Sequence, residues 1–226
     1  MDRINAPQPL PRLVYNAILN AICEGTLRPG ERLTQEEIAE RMDVSRLPVG
    51  QALQWLKAEG FVCNAGRRGL KVAPLDPEMV GEMYEFRCGI DMVAAGRAAQ
   101  RATATQRARG KRIIHDGRSA LAAGDVAMLI GADIEFHQLI YEMSGNRVLM
   151  DAMAPRWNHI RRVMIAIIDD TGNQSRIWDE HAAILEAVLA GDVDNAERLA
   201  RGHVENAAGW LQAELTRSNR RQRLTG

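Results

Sequence analysis

The sequence predicts a mainly α-helical chain in two parts. Residues 1–75 read as three helices and a small β-hairpin, and residues 76–226 as an all-helical antiparallel bundle. Three observations carry this. Apolar residues recur at helical spacing almost throughout, in a chain of 226 residues that is 46% hydrophobic but only 4% aromatic. One short exception, Gly60-Phe61-Val62-Cys63 and Leu70-Lys71-Val72-Ala73, reads as two strands joined by the glycine-bounded basic turn Asn64-Ala65-Gly66-Arg67-Arg68-Gly69. Pro74-Leu75-Asp76-Pro77 then breaks the strand and can start a helix, and no strand pattern follows it.

Residues 1–9 are polar and proline-bearing and read as a loose arm. Leu10, Val14, Ile18, Ala21 and Ile22 form the stripe of a first helix ending at Gly25. Leu33 to Gly60 encodes a pair of short helices. Thr34 with Glu37 three residues on is a capping box, and Ile38, Ala39 and Met42 supply the apolar stripe. Met42-Asp43-Val44 makes the turn. Ser45 caps the second helix, where Val49, Ala52, Leu53 and Leu56 face inward and leave Arg46, Leu47, Gly50, Gln51 and Gln54 outward.

A helical hairpin buried in a core would show the same pairing, but the two strands that follow have the place of a wing. The whole reads as a winged helix-turn-helix. Its second helix suits a DNA major groove, because the first residues of such a helix reach base edges while amides and flanking side chains hold phosphates. The residues in position to touch double-stranded DNA are Thr34, Ser45, Arg46, Gln51 and Gln54, with Arg67 and Arg68 in the wing turn. Gln51 and Gln54 are suited to adenine edges.

Beyond Asp76 the expected helices run near 77–102, 105–123, 125–143, 147–170, 173–190 and 192–216. The arginines after Thr216 have no apolar partners and read as a solvated, frayed end.

The formal net charge is zero, which excludes a protein that coats nucleic acid by charge alone. Residues 1–75 hold 10 basic against 8 acidic residues and the remainder 19 against 21, a mild asymmetry that fits specific binding with few phosphate contacts. Cys23, Cys63 and Cys88 are odd in number and lack metal-ligand spacing, as in a reducing cytoplasm. No signal sequence and no membrane-length apolar run is present, so a cytoplasmic protein without a membrane role is expected.

The second part carries its own chemistry. Asp133 and His137 lie four apart on one helical face with Leu129, Phe136 and Ile140. His181 shares a stripe with Trp178, Ile184, Leu185 and Val188, and His203 sits in the last helix beside Leu199 and Asn206. Singly, each histidine reads as a satisfied core residue. Together, three imidazoles and a carboxylate aimed into one bundle are costly to bury without a shared partner, and they make a suitable shell for a divalent transition metal. Arg87 lies on the inward stripe of Val80, Met83, Tyr84, Asp91 and Ala94, where it can either pair with Asp91 or meet an anion. Arg161, beside Trp157, Ile160 and Met164, and Asn206 are weaker candidates of the same kind.

The run PGERLTQEEIAERMDVSRLPVGQAL, followed by LKAEGFV and GRRGLKVAPL, resembles the DNA-binding domain of the GntR family of bacterial transcription regulators. The later D-x-x-F-H, W-x-E-H and final-helix His resemble the FCD ligand-binding domain of the FadR subfamily. The resemblance implies a homodimeric, metabolite-responsive regulator, commonly a repressor, that reads an inverted-repeat operator. It implies metal ligands at Asp133, His137, His181 and His203, zinc by default with nickel or manganese open. It also implies a small organic acid effector completing the metal shell near Arg87, with Arg161 and Asn206 further contacts. This chain departs from the family at Leu47, where Thr is usual, and at Gly50, where an Arg that commonly contacts guanine is usual. Losing such an arginine removes on the order of 1–3 kcal/mol of base discrimination.

Two other readings of the second part stand beside this one. A metal-dependent hydrolase or lyase carrying a DNA-binding module would need a further carboxylate as base, and none is placed convincingly on the same inward faces. A purely structural metal would stabilise the fold and take no acid.

Overall fold

The computed structural model describes residues 9–66, 69–168 and 174–225, with side chains described as far as Arg217. It divides into two compact units, Met1–Leu75 and Asp76–Gly226.

In the first unit α1 (Leu10–Cys23) buries Val14, Ile18, Leu19 and Ile22 against α2 (Gln35–Met42) and α3 (Arg46–Ala58). Thr34 caps α2: its hydroxyl oxygen accepts from the Glu37 amide at 3.2 Å and donates to the Glu37 carboxylate at 2.7 Å. Asp43 ends the helix in the left-handed region at φ 51°, turning the chain sharply into α3. Ser45 occupies the N-cap position of α3 with extended backbone, but its side chain makes no cap bond, contrary to the expected role. On α3 the residues Val49, Ala52, Leu53 and Leu56 are fully buried.

The sheet is larger than the expected hairpin. β2 (Val62–Asn64) and β3 (Leu70–Val72) pair antiparallel with Cys63 opposite Lys71. A third strand, β1 (Arg32–Leu33), pairs antiparallel on the other side of β3, giving the order β1-β3-β2. Two residues are too few for an alternating pattern to appear in sequence, and the strand forms because Leu33 is buried opposite Leu70 while the amides of β3 need partners.

The second unit is helical: α4 (Pro77–Arg101), α5 (Ala104–Ala123), α6 (Val126–Ser144), α7 (Arg147–Met153), α8 (Trp157–Ile167), α9 (Gln174–Ala190) and α10 (Val193–Thr225). The segment expected as one helix over 147–170 is two. Pro155 lacks the amide a continuing helix needs, and a 3-10 turn over Ala154–Arg156 joins the pieces. Conversely α10 runs past the expected end at 216. α4 packs along both α10 and α6, while α5 packs on α6 and α9. Gly117 of α5 leaves room for the Trp178 ring of α9, which a Cβ there would overlap. This packing brings α6, α9 and α10 together around the buried histidines.

Candidate metal centre and nucleic-acid interface

His137, His181 and His203 project from α6, α9 and α10 and are all buried, His181 completely. One ligand atom from each lies within 4.8 Å of the others. His181 Nε2 stands 3.2 Å from His203 Nε2 and 3.5 Å from Asp133 Oδ1. Their rings are braced by aromatic neighbours: Phe136 stacks on His181 at 4.3 Å between centroids, and Trp178 meets the same ring edge-on at 5.0 Å.

The outer nitrogens are held by carboxylates that the sequence did not single out for that task. His137 Nδ1 lies 3.2 Å from Asp91 Oδ2, and His203 Nδ1 lies 2.8 Å from Glu180 Oε2. Carboxylates behind imidazoles fix ring orientation and raise ligand basicity, the usual surroundings of metal-binding histidines. His137 Nε2 and His181 Nδ1 are buried without a hydrogen-bond partner. A buried polar atom left unpaired costs about 1–3 kcal/mol, and an ion bound among the imidazoles would remove that cost at His137.

Electrostatics favour the neutral form of His137 and His181. Burial, reinforced by the neighbouring His203, His137 and Arg87, holds His181 well below the ordinary histidine value. Burial and Arg87 likewise lower His137, against the opposing pull of Asp91. Burial alone would raise Asp91, but Arg87, His137 and Tyr141 together outweigh it and hold the carboxyl at about 2. Metal ligation requires deprotonated ring nitrogens, and an ionised carboxylate such as Asp91 behind the ring supports it.

Arg87 pairs with Asp91 and keeps one donor free. Its Nε donates to Asp91 Oδ2 at 3.2 Å, while its Nη2 is buried without a partner. The guanidinium lies 5.2 Å from the Tyr84 ring centroid and 5.5 Å from that of Trp157. Beside it is a cavity of ≈ 20 Å³ lined by residues including Tyr84, Arg87, Asp133, Gln174 and His203. Gln174, which sequence reasoning missed, is buried there with its Nε2 unpartnered. Only its three-dimensional position at the start of α9 marks it. Of the weaker candidates, Arg161 is half-buried and does not line this cavity. Asn206 is exposed and donates to Glu180 Oε1 at 3.0 Å, so it orients the carboxylate behind His203.

In the first unit, Arg46, Leu47, Gln51 and Gln54 are all exposed on one face of α3. Arg46 pairs with Glu36 of α2, an ion pair between two largely exposed side chains. The hydroxyl of Thr34 is engaged in capping, whereas that of Ser45 is exposed and unused in a cap. Arg67 and Arg68 lie outside the described residues.

Residues 10–72 match the model of bacterial regulatory proteins of the gntR family, and residues 82–206, more than half of the chain, match the FCD domain. The HTH-type transcriptional repressor RspR of Escherichia coli K12 is 25% identical over 90% of this chain and 89% of its own. The Nta operon transcriptional regulator of Aminobacter aminovorans is 32% identical over 59% of this chain and 63% of its own. Among solved structures, E. coli McbR/YncC shares the fold with a TM-score of 0.76 at 19% identity, covering 91% of this chain and 98% of that one. RspR and the Nta regulator are by name transcription regulators, and the described residues contain no helix long and apolar enough to cross a membrane. With a gntR-type helix-turn-helix followed by an FCD domain, the chain belongs to the GntR family of transcription regulators.

Proposed function

We infer that this protein is a cytoplasmic, homodimeric repressor of the FadR-like subfamily. Residues 1–75 read an inverted-repeat operator, and residues 76–226 dimerise and sense a small carboxylate through a divalent metal ion. The ligands are His137, His181 and His203, joined by Asp133. The observation that carries the reading is a cluster of three buried imidazoles that reaches, through His203 and Asp133, the same cavity lined by Arg87 and Gln174, whose Nη2 and Nε2 are buried donors without a partner. Those donors match what a carboxylate lacks once it leaves water.

Three imidazoles and a carboxylate suit a divalent transition metal, zinc by default, and the ion when bound would supply positive charge to an acid's oxygens. The chain's own residues do the rest. Arg87 binds the acid through Nη2 while Nε stays on Asp91, and Gln174 offers a second donor from α9. The cavity of ≈ 20 Å³ has room for about one water molecule, so the residues lining it must move to admit an acid. That movement gives the acid unequal affinity for two arrangements of the FCD domain, which is the requirement for shifting operator affinity.

The test titrates labelled operator with wild type and His181→Ala, with and without zinc, in a panel of acetate, lactate and succinate. The reading requires at least one acid to change wild-type operator affinity and to have no effect on the variant. Chelation that lowers stability while every acid leaves operator affinity unchanged identifies the metal as a structural staple and rejects the sensing role.

A further inference from the structure

The outward face of α3 holds an apolar side chain where polar readers surround it. Leu47 is 72% exposed in the first turn of the helix, directly after Arg46 and one turn before Gln51, with Gln54 beyond. A lone exposed leucine on an arbitrary surface calls for no explanation. This one lies on the second helix of a gntR-type helix-turn-helix, the element that enters the major groove, at the end whose side chains meet base edges.

The neighbouring position sharpens the point. Gly50, three residues on and so on the same side of the helix, carries no side chain, and a Cβ built there would stand 3.4 Å from the Gln35 side-chain amide. The Gln35 side chain of α2 thus lies beside position 50. Nothing from position 50 screens Leu47 from a base edge. Arg46, its neighbour in sequence, is paired with Glu36.

In the major groove the 5-methyl group of thymine is the one apolar feature any base pair presents, and aliphatic side chains are its complement. Gln51 and Gln54 on the same face have the paired donor and acceptor that adenine N7 and N6 require. We propose that Leu47 is a specificity-determining residue of the DNA-binding head that packs against a thymine methyl, so that this chain reads an A·T-weighted half-site core. The inference goes beyond the metal-and-acid reading and does not depend on it.

The test uses the full-length chain, without added acid, and a duplex enriched by that chain from a randomised pool. Each thymine is replaced singly by deoxyuridine, which deletes the methyl group and leaves every hydrogen-bonding edge intact. Burial of one such carbon corresponds to about fourfold in affinity. The proposal expects one thymine per half-site whose replacement weakens wild-type binding by about that factor. Leu47→Ala should bind the thymine and uracil duplexes equally, while Leu47→Met and Gln54→Ala should retain the difference. Because Leu47 is exposed, circular dichroism of Leu47→Ala should match wild type. Uracil tolerated at every position, or a methyl dependence that persists in Leu47→Ala, overturns the proposal. Loss of acid sensing in His181→Ala would leave these results unchanged.

Discussion

The Asp91 carboxylate lies 3.2 Å from His137 Nδ1, and the other nitrogen of that ring is buried without a partner. The same Oδ2 accepts from Arg87 Nε at 3.2 Å, and Oδ1 accepts from the Tyr141 hydroxyl. One carboxylate thus sets the direction of a candidate metal ligand and of the candidate anion-binding cation. Asp91→Asn keeps the shape and removes the charge. It should weaken zinc binding by about 10–100-fold, measured by competition with a chromophoric chelator. It should also weaken acid binding, since Arg87 loses the partner that aims it.

Arg87→Met should separate the two functions. The guanidinium donates to Asp91 but to no histidine among the described contacts, so zinc stoichiometry should persist while the response of operator affinity to any active acid disappears. Inductively coupled plasma mass spectrometry and operator titration read the two results on one preparation. A full acid response in Arg87→Met would remove Arg87 from the site.

The pH dependence follows from the histidines. Burial lowers His181 and His137 below the ordinary value of about 6.5. Between the lowered folded value and 6.5 the unfolded chain binds more protons than the folded one, so stability is full above 6.5 and falls as pH drops through the lowered values. Bound metal acts in the same direction, because it requires deprotonated rings. Urea denaturation at pH 7.5 and 5.5 should show the metal-free wild type losing stability on acidification, and His181→Phe losing less.

Much of the fold is legible because the helices of this chain are bounded by strong local signals. Thr34, Gly124-Asp125, Gly145-Asn146 and Gly191 all stand at helix ends, and the left-handed backbone of Gly124, Gly145 and Gly191 is a requirement that glycine meets without strain. What escaped the sequence depends on partners distant along the chain. β1 exists only because β3 lies beside it. Glu180 immediately precedes His181 and, by periodicity, belongs to a different face of α9; its contact with His203 appears only when α10 packs on α9. Asp91 reads as an ordinary i,i+4 partner of Arg87, and its second contact, to His137, spans two helices. Gln174 has no motif at all, only a buried amide facing a cavity.

Packing behind the histidines is also testable. A Cβ on Gly117 would overlap the Trp178 ring, which meets His181 edge-on. Gly117→Ala should cost about 1–3 kcal/mol by overpacking, read by urea denaturation, and should weaken zinc binding through the displaced ring. Gly131→Ala is the control, since a Cβ there meets nothing within 4 Å.

On the DNA side, Arg46→Ala removes an exposed ion pair whose contribution to stability is at most about 1 kcal/mol. Its melting temperature should stay close to that of wild type, while operator affinity falls by on the order of 1–3 kcal/mol, measured by fluorescence anisotropy. A variant that binds operator as tightly as wild type would take Arg46 off the DNA-reading face.

Sensing in the second unit requires a shared ion among His137, His181 and His203. Equilibrium dialysis of zinc against chelator-stripped protein measures it directly. One zinc per chain, reduced to none in His137→Ala and in His203→Ala with both variants still folded by circular dichroism, is the predicted result. No bound zinc in wild type, or one zinc retained by both variants, would contradict it.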